Sequence, residues 1–148
     1  MAINTCVVPF VEQVQEYVDK QALGDAPLWN TSSIVCCSAG ADSTYLAYVM
    51  AAMGSGGDHH LVYFNHGQRP DAIPTEIAHI QALGADLAMQ VHIIDLTIQK
   101  PTQDGFRAAR LEALAVLCKK INVATVFLGH HLDDDLETFW MQLCKGAT

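Results

Sequence analysis

The chain has 148 residues, 51% of them hydrophobic, and its 16 acidic and 8 basic residues give a net charge of −8. This length fits one domain with a buried core, and the acidic balance argues against an isolated nucleic-acid-binding module, because phosphate affinity comes mainly from Lys and Arg. We expect neither a membrane span, which needs roughly 20 apolar residues, nor a signal peptide.

The five cysteines are odd in number and include no Cys-x-x-Cys pair. This pattern argues against a disulfide framework, a zinc site and an iron–sulfur cluster. We expect Cys36 and Cys37 to be small core residues of a buried strand. The cysteine usage indicates a cytoplasmic protein.

In the first half of the chain, residues 9–21 have the periodicity of an amphipathic helix and residues 24–32 form a polar connector. The apolar residues 33–37 predict a first strand. Small residues at 38–43 then lead into apolar positions with helical spacing, which end at the glycine-rich residues 54–57.

The second half predicts strands at residues 60–64, 91–96 and 124–128, and helices at 74–88, 103–120 and 133–145. One helix followed by four strand–helix units predicts an α/β fold with a doubly wound, mostly parallel open sheet. We expect a single domain over residues 1–148, with a helix and connector in 1–29 and the α/β core in 30–148. Ligands of such sheets bind at the carboxyl ends of the strands.

The loop Ser38-Ala39-Gly40-Ala41-Asp42-Ser43 follows the first predicted strand and opens a helix. Small residues let the backbone approach a ligand, and unpaired N–H groups at the helix start favour an anion such as phosphate. The Ser38 and Ser43 hydroxyls can add hydrogen bonds, and Asp42 suits a bridging Mg²⁺. The alternative is an ordinary turn with a Ser or Asp cap.

Other polar residues are predicted at the same edge of the sheet. His66 follows the second strand, and Arg107 and Arg110 lie on the helix before the fourth. The arginines suit phosphate neutralisation, although ion pairs with Asp104 or Glu112 explain them equally well. Four acids and two histidines follow the fourth strand, more than complementing a helix dipole requires. Their carboxylates suit Mg²⁺, and the two adjacent histidines do not easily share one zinc ion. The six residues are His130, His131, Asp133, Asp134, Asp135 and Glu137.

Together these motifs resemble those of the PP-loop ATP pyrophosphatase family, within which the catalytic domain of the tRNA(Ile)-lysidine synthases is most similar. The family loop reads Ser-Gly-Gly-x-Asp-Ser, and here Ala39 replaces its first glycine. The resemblance runs from about residue 30 to the last residue and includes three further motifs and a final pair. These are His66-Gly67-Gln68-Arg69, Phe106-Arg107-Ala108-Ala109-Arg110-Leu111, His130-His131-Leu132-Asp133-Asp134-Asp135-Leu136-Glu137-Thr138 and Lys145-Gly146.

The resemblance implies an adenine nucleotide alpha hydrolase-like fold with ATP and Mg²⁺ as cofactors. It implies adenylation of C2 of the anticodon cytidine of tRNA(Ile), followed by attack of lysine. The residues that it assigns to ATP binding are Ser38, Ala39, Gly40, Ala41, Asp42, Ser43, Phe64 and His66. Those that it assigns to Mg²⁺ are Asp42 and Asp134, and those that it assigns to catalysis are Arg110, Arg107, Asp134, Glu137 and His131.

Two alternatives stay open at this point. The chain is another PP-loop enzyme, such as a tRNA thiolase or an amidating ligase, or a non-catalytic nucleotide-binding domain of the same fold. Because the family continues beyond the last helix, we expect this chain to be truncated at its C-terminus. We therefore expect tRNA binding to need regions outside this chain, whose activity alone is an open question, and we regard a homodimer as the candidate assembly.

Overall fold

The computed structural model describes residues 31–53, 58–98 and 102–129. These ranges contain four strands and three helices in strict alternation, close to the predicted bounds. The elements are β1 (Ser33–Cys36), α1 (Ala41–Met53), β2 (His59–Asn65), α2 (Ile73–Leu87), β3 (Gln90–Asp95), α3 (Gln103–Ile121) and β4 (Thr125–Leu128). The helices predicted at 9–21 and 133–145 lie outside the described residues.

The four strands form one sheet in the order β3-β2-β1-β4, and every neighbouring pair is parallel. The prediction of a doubly wound parallel α/β sheet is confirmed. β1 lies in the interior, with Cys36 opposite Val62 of β2 and opposite Leu128 of β4. The chain therefore adds strands first on one side of β1 and then on the other.

Successive residues of each strand point to opposite faces of the sheet. Helices cover both of these faces. On one face, Val35 and Tyr63 of the strands pack with residues of α1 and α2. On the other face, Ile34 and Val62 pack with Leu114 and Leu117 of α3. Burial on both faces explains why β1 and β2 read as nearly continuous apolar runs, whereas β3 and β4, the outer strands of the described sheet, are only partly buried.

The thiols of the described residues are free, as their place in the core predicts. Cys37 is buried, whereas Cys36 is half-buried and packs against the α3 face of the sheet. Within residues 31–53, 58–98 and 102–129, no helix is long and apolar enough to cross a membrane.

Gly84 weakens the helix prediction for α2, and the structure gives a packing reason for its presence. A Cβ at this buried position would overlap Cγ2 of Val91 and lie 3.1 Å from the carbonyl oxygen of Met89. The missing side chain therefore lets α2 approach β3 and the turn that joins them.

We expect Gly84→Ala to lower the free energy of unfolding by about 1–3 kcal/mol, because overpacking forces α2 away from β3. Helix propensity alone predicts the opposite sign, a gain of about 1 kcal/mol. Urea unfolding of the two proteins measures the difference. The control is Ala82→Gly at an exposed position of α2, which should cost about 1 kcal/mol. A stabilised Gly84→Ala protein would contradict the close packing.

Three histidines lie near the amino ends of β2 and β3. Nδ1 of His59 bonds Oγ of Ser33 at 2.8 Å, and Nε2 of His92 lies 3.2 Å from Nδ1 of His60. Burial, together with His60, lowers the pKa of His59, although Asp58 opposes the shift. Burial, His60 and Lys120 lower the pKa of His92. Both shifts favour the neutral form of the imidazole in the folded protein.

This neutrality predicts that the protein becomes less stable on acidification. The histidines of the unfolded chain bind protons near the ordinary pKa of about 6.5, whereas folded His59 and His92 bind them only at lower pH. The contribution of these two residues to the unfolding free energy is therefore fully present above about pH 6.5 and is lost as the pH falls further. Urea midpoints between about pH 7.5 and pH 5 should decline, and the decline should be smaller in His59→Asn and His92→Gln. His79→Asn, at an exposed histidine of α2, is the control. An unchanged slope in both variants would refute this account.

Candidate functional site

The carboxyl ends of β1 and β4 meet where the strand order reverses. The loop after β1 leads into α1, and Gly129 follows β4 directly. A Cβ on Gly129 would lie 3.0 Å from Cα and 3.2 Å from N of Ser43, so only glycine lets β4 end this close to the first turn of α1. Open α/β sheets bind ligands in a crevice outside the carboxyl ends of the strands at such a reversal, so this contact marks the place where we expect the ligand crevice.

The Ser43 hydroxyl organises the loop from inside. Its Oγ donates to the carbonyl oxygen of Gly40 at 3.1 Å and accepts from the backbone N–H of Ser38 at 3.1 Å. The Cys37 thiol donates to the same oxygen at 3.5 Å, and Oγ of Ser38 lies 3.2 Å away. Ser43 is only 5% exposed, so its hydroxyl holds the loop together instead of facing the crevice.

The backbone of Ala39 has φ of +62°, in the left-handed region. A residue with a Cβ is strained there by about 1–2 kcal/mol, whereas glycine is not. The bonds to Ser43 on both sides impose this conformation. They turn the backbone of residues 38–41 back over the start of α1, and Ser38, Gly40 and Ala41 are exposed.

The first turn of α1 suits an anion and a bridging cation. The first N–H groups of a helix lack intrahelical acceptors, and the dipole adds positive potential there. Asp42 is exposed in this turn, and one or two carboxylates with substrate phosphates make the usual shell of Mg²⁺. No group of three or more His, Cys, Asp or Glu residues within the described ranges can hold a metal without such a ligand. Among the described residues, Asp42 therefore fits Mg²⁺ as one ligand of a shell that a phosphate completes.

The loop after β2 forms a wall beside this crevice and is tied to its neighbours. The Asn65 side chain donates to Asp95 at 2.7 Å and accepts from the N–H of Gly67 at 3.0 Å. The ring of His66 meets the ring of Phe106 edge to face, with centroids 6.1 Å apart. These contacts join the ends of β2 and β3 to the first turn of α3.

Phe64 lies in β2, where it is partly buried and packs against the α3 face of the sheet. Arg107 and Arg110 are exposed on the first turns of α3. Within the described part of the chain, neither arginine forms an ion pair with Asp104 or Glu112. Burial raises the pKa of the Cys36 thiol, at the end of β1, to about 12, and the nearby charge of Arg110 partly opposes this shift.

The structure brings residues 38–43, His66, Arg107 and Arg110 to the carboxyl edge of the sheet. His131, Asp134 and Glu137, with the rest of the acidic segment, lie outside the described residues. Sequence reasoning missed Gly129, although a glycine directly after a strand is the signal of a close backbone approach. It also missed Tyr63 and Glu76, which hold the loop after β2 and which no motif marks.

Relatives of this chain are tRNA(Ile)-lysidine synthases. That of Methylobacterium sp. (strain 4-46) is 32% identical over 117 residues, which are 77% of this chain and 34% of the relative. That of Dehalococcoides mccartyi (strain CBDB1) is 29% identical over 145 residues, which are 92% of this chain and 30% of the relative. The chain spans about a third of the length of these relatives.

A solved structure, the U34-tRNA thiolase NcsA from Methanococcus maripaludis with its [4Fe-4S] cluster, shares the fold with a TM-score of 0.67. It is 17% identical, and the match covers 95% of this chain and 51% of the thiolase chain. A family model described as a PP-loop domain matches residues 10–148. This match covers most of the chain and includes the loop at the strand-order reversal, and the chain belongs to the PP-loop domain family.

Proposed function

We propose that this chain is the ATP-binding catalytic domain of an enzyme that modifies tRNA, and that the modification is lysidine formation on the anticodon cytidine of tRNA(Ile). The observation that carries the proposal is the loop of residues 38–43, held by a buried Ser43 at the strand-order reversal. The lysidine synthases of Methylobacterium and Dehalococcoides, which align with most of this chain, support the choice of reaction.

In this reaction the C2 carbonyl oxygen of cytidine attacks the α-phosphorus of ATP, and the bond from that phosphorus to the β-phosphate oxygen breaks. The backbone of residues 38–41 and the first turn of α1 would hold the departing pyrophosphate. Asp42, with Asp134 beyond the described residues, would hold Mg²⁺, which neutralises phosphate charge when bound. The amine of lysine then attacks C2, loses a proton, and AMP leaves with the former carbonyl oxygen.

Positioning and charge neutralisation at the α-phosphate are the physical work of this domain. Arg110 and Arg107 are the exposed cations on the first turns of α3, and in the described ranges neither forms an ion pair with Asp104 or Glu112. The proposal assigns the lysine ammonium to Glu137 and a catalytic role to His131, both outside the described residues. Phe64 and His66 would flank the nucleotide from the end of β2.

The described thiols favour lysidine formation over thiolation. Thiolate, not thiol, is the reactive form of cysteine. Burial raises the pKa of Cys36 to about 12, and Cys37 is 3% exposed with its thiol bonded to Ser43. Neither side chain is suited to carry sulfur at the carboxyl edge. An amine nucleophile such as lysine makes no such demand on the protein.

Several further assignments belong to this proposal. We propose that residues 1–148 form one PP-loop domain that acts in the cytoplasm and that tRNA and lysine are its substrates beside ATP. With a net charge of −8, the chain has little basic surface for RNA, so we propose that its tRNA contacts need further regions. A homodimer is the proposed assembly.

We expect this domain, in an enzyme that also supplies the tRNA contacts, to catalyse exchange of pyrophosphate into ATP when Mg²⁺ and tRNA(Ile) are both present, because adenylation is reversible until lysine attacks. Radiolabelled pyrophosphate measures the exchange, and added lysine should divert it into lysidine and AMP. In the same assay Asp42→Asn should lower the rate at least about 100-fold without loss of fold, whereas Asp86→Asn, at an exposed acid near the far end of α2, should not. Exchange without tRNA, or a near-normal rate in Asp42→Asn, would contradict the proposal.

We expect Ala39→Gly to keep or improve ATP binding, because glycine adopts the left-handed conformation of the loop without strain. The variant should also gain about 0.5–1 kcal/mol in unfolding free energy. Ala88→Gly is a matched control, since Ala88 has φ of +55° at the other edge of the sheet. It should bring a similar gain in stability and leave the ATP affinity unchanged. A large loss of ATP affinity in Ala39→Gly, measured by calorimetric titration, would refute phosphate binding by the loop of residues 38–43.

A further inference from the structure

A buried tyrosine, a carboxylate and an arginine are connected beside the loop after β2. The Tyr63 hydroxyl of β2 donates to Oε2 of Glu76 in the first turn of α2. The other oxygen of the same carboxylate, Oε1, pairs with a terminal nitrogen of Arg69 at 2.9 Å. Both oxygens of Glu76 thus have a partner, one from the core and one from the loop.

The inner end of this connection is rigid. Tyr63 is 2% exposed and belongs to the same hydrophobic cluster against which Ala39 of the first loop packs. Burial and the bond to Glu76 raise the pKa of Tyr63 to about 12, so its hydroxyl remains a donor at neutral pH. The Glu76 side chain is 16% exposed, which restricts it to the position set by Tyr63.

The outer end of the connection remains accessible. The Arg69 side chain is 63% exposed, and one of its nitrogens is committed to Glu76. Its carbonyl oxygen accepts from the N–H groups of Ala72 and Ile73, so the backbone of Arg69 is fixed as well. A guanidinium has five N–H donors, and those not used for Glu76 remain available to a ligand.

Arg69 lies in the loop after β2, at the carboxyl ends of the strands. The pairing of β1 with β2 ends at Cys36 and Val62, and β2 continues for three more residues to Asn65, a rise of roughly 10 Å. The loop after β2 therefore begins further along the strand direction than the last pair of β1 with β2. The three arginines of this acidic chain, Arg69, Arg107 and Arg110, are all carried by elements that begin at this edge.

We propose that Arg69 binds a phosphate group of the substrate and that Tyr63 and Glu76 are positioning residues that hold its guanidinium ready for it. The proposal rests on the proposed function, which supplies two sources of phosphate, the triphosphate of ATP and the RNA backbone. An arginine that is already ordered loses less side-chain freedom on binding, so its contact with phosphate is tighter. An exposed ion pair by itself contributes little to stability, so stabilisation of the fold does not by itself account for the Arg69–Glu76 pair.

The test is a double-mutant cycle on binding. Wild type, Arg69→Ala, Tyr63→Phe and the double variant of the full chain are titrated with ATP and Mg²⁺, and separately with an anticodon stem–loop RNA at two salt concentrations. Tyr48→Phe is the matched control, because Tyr48 packs against the same cluster but lies outside the connection. Thermal unfolding of each variant reports on the fold.

Arg69→Ala should weaken binding of one ligand roughly tenfold, the loss expected for a charge-assisted hydrogen bond to phosphate. The ligand affected identifies the source of the phosphate. Tyr63→Phe should weaken the same ligand several-fold in the wild-type background and have no further effect beside Arg69→Ala, which a purely structural role would not produce. Tyr48→Phe should leave both affinities unchanged.

Three results would overturn the proposal. Equal losses from Tyr63→Phe with and without Arg69 would mean that the tyrosine acts through packing. Unchanged affinities in Arg69→Ala, beside normal ATP binding by the wild type, would refute the phosphate contact and leave the proposed function intact. A wild-type chain that binds neither ligand would overturn both.

Discussion

The contact between Ser43 and Gly129 is the constraint on which the site depends. Ser43 gathers the loop after β1 around its buried hydroxyl, and Gly129 lets β4 end against the backbone of the same residue. The strand-order reversal and the start of α1 thereby meet at one point. A hydroxyl with several partners in a buried setting is stable only while all of them stay in place, so the loop keeps one shape before any ligand arrives.

Side-chain contacts also order the loop after β2. Asn65 joins the ends of β2 and β3, His66 contacts Phe106 of α3, and Tyr63 supports Glu76 and Arg69. Polar side chains anchored in the core order an exposed loop, while the cationic end remains accessible. Under the proposed function such preorganisation matters, because the few cations of an acidic chain would have to attract a highly charged substrate with no general positive field to assist them.

The fold was largely predictable because both periodicity and turn chemistry pointed to it. Apolar runs of strand length alternated with helical patterns, and the four predicted strands lie within a residue or two of the observed ones. The details of the site were less so. From the sequence, the hydroxyls of Ser38 and Ser43 can add hydrogen bonds to a ligand, which stays a prediction. The structure adds that Ser43 Oγ bonds Ser38 and Gly40 within the loop, which a burial pattern cannot show. The acidic segment at 133–137 stays a prediction from sequence.

Local patterns of hydrophobicity and residue size were enough to predict the fold class, the position of the loop after β1 and the set of candidate residues. The strand order β3-β2-β1-β4, and with it the neighbours of each loop, emerges only from the packing of the folded chain. The roles of Gly84 and Gly129, and the connection from Tyr63 through Glu76 to Arg69, depend on distances between elements far apart in the chain. Such distances follow from how helices pack on the sheet, which no local pattern encodes.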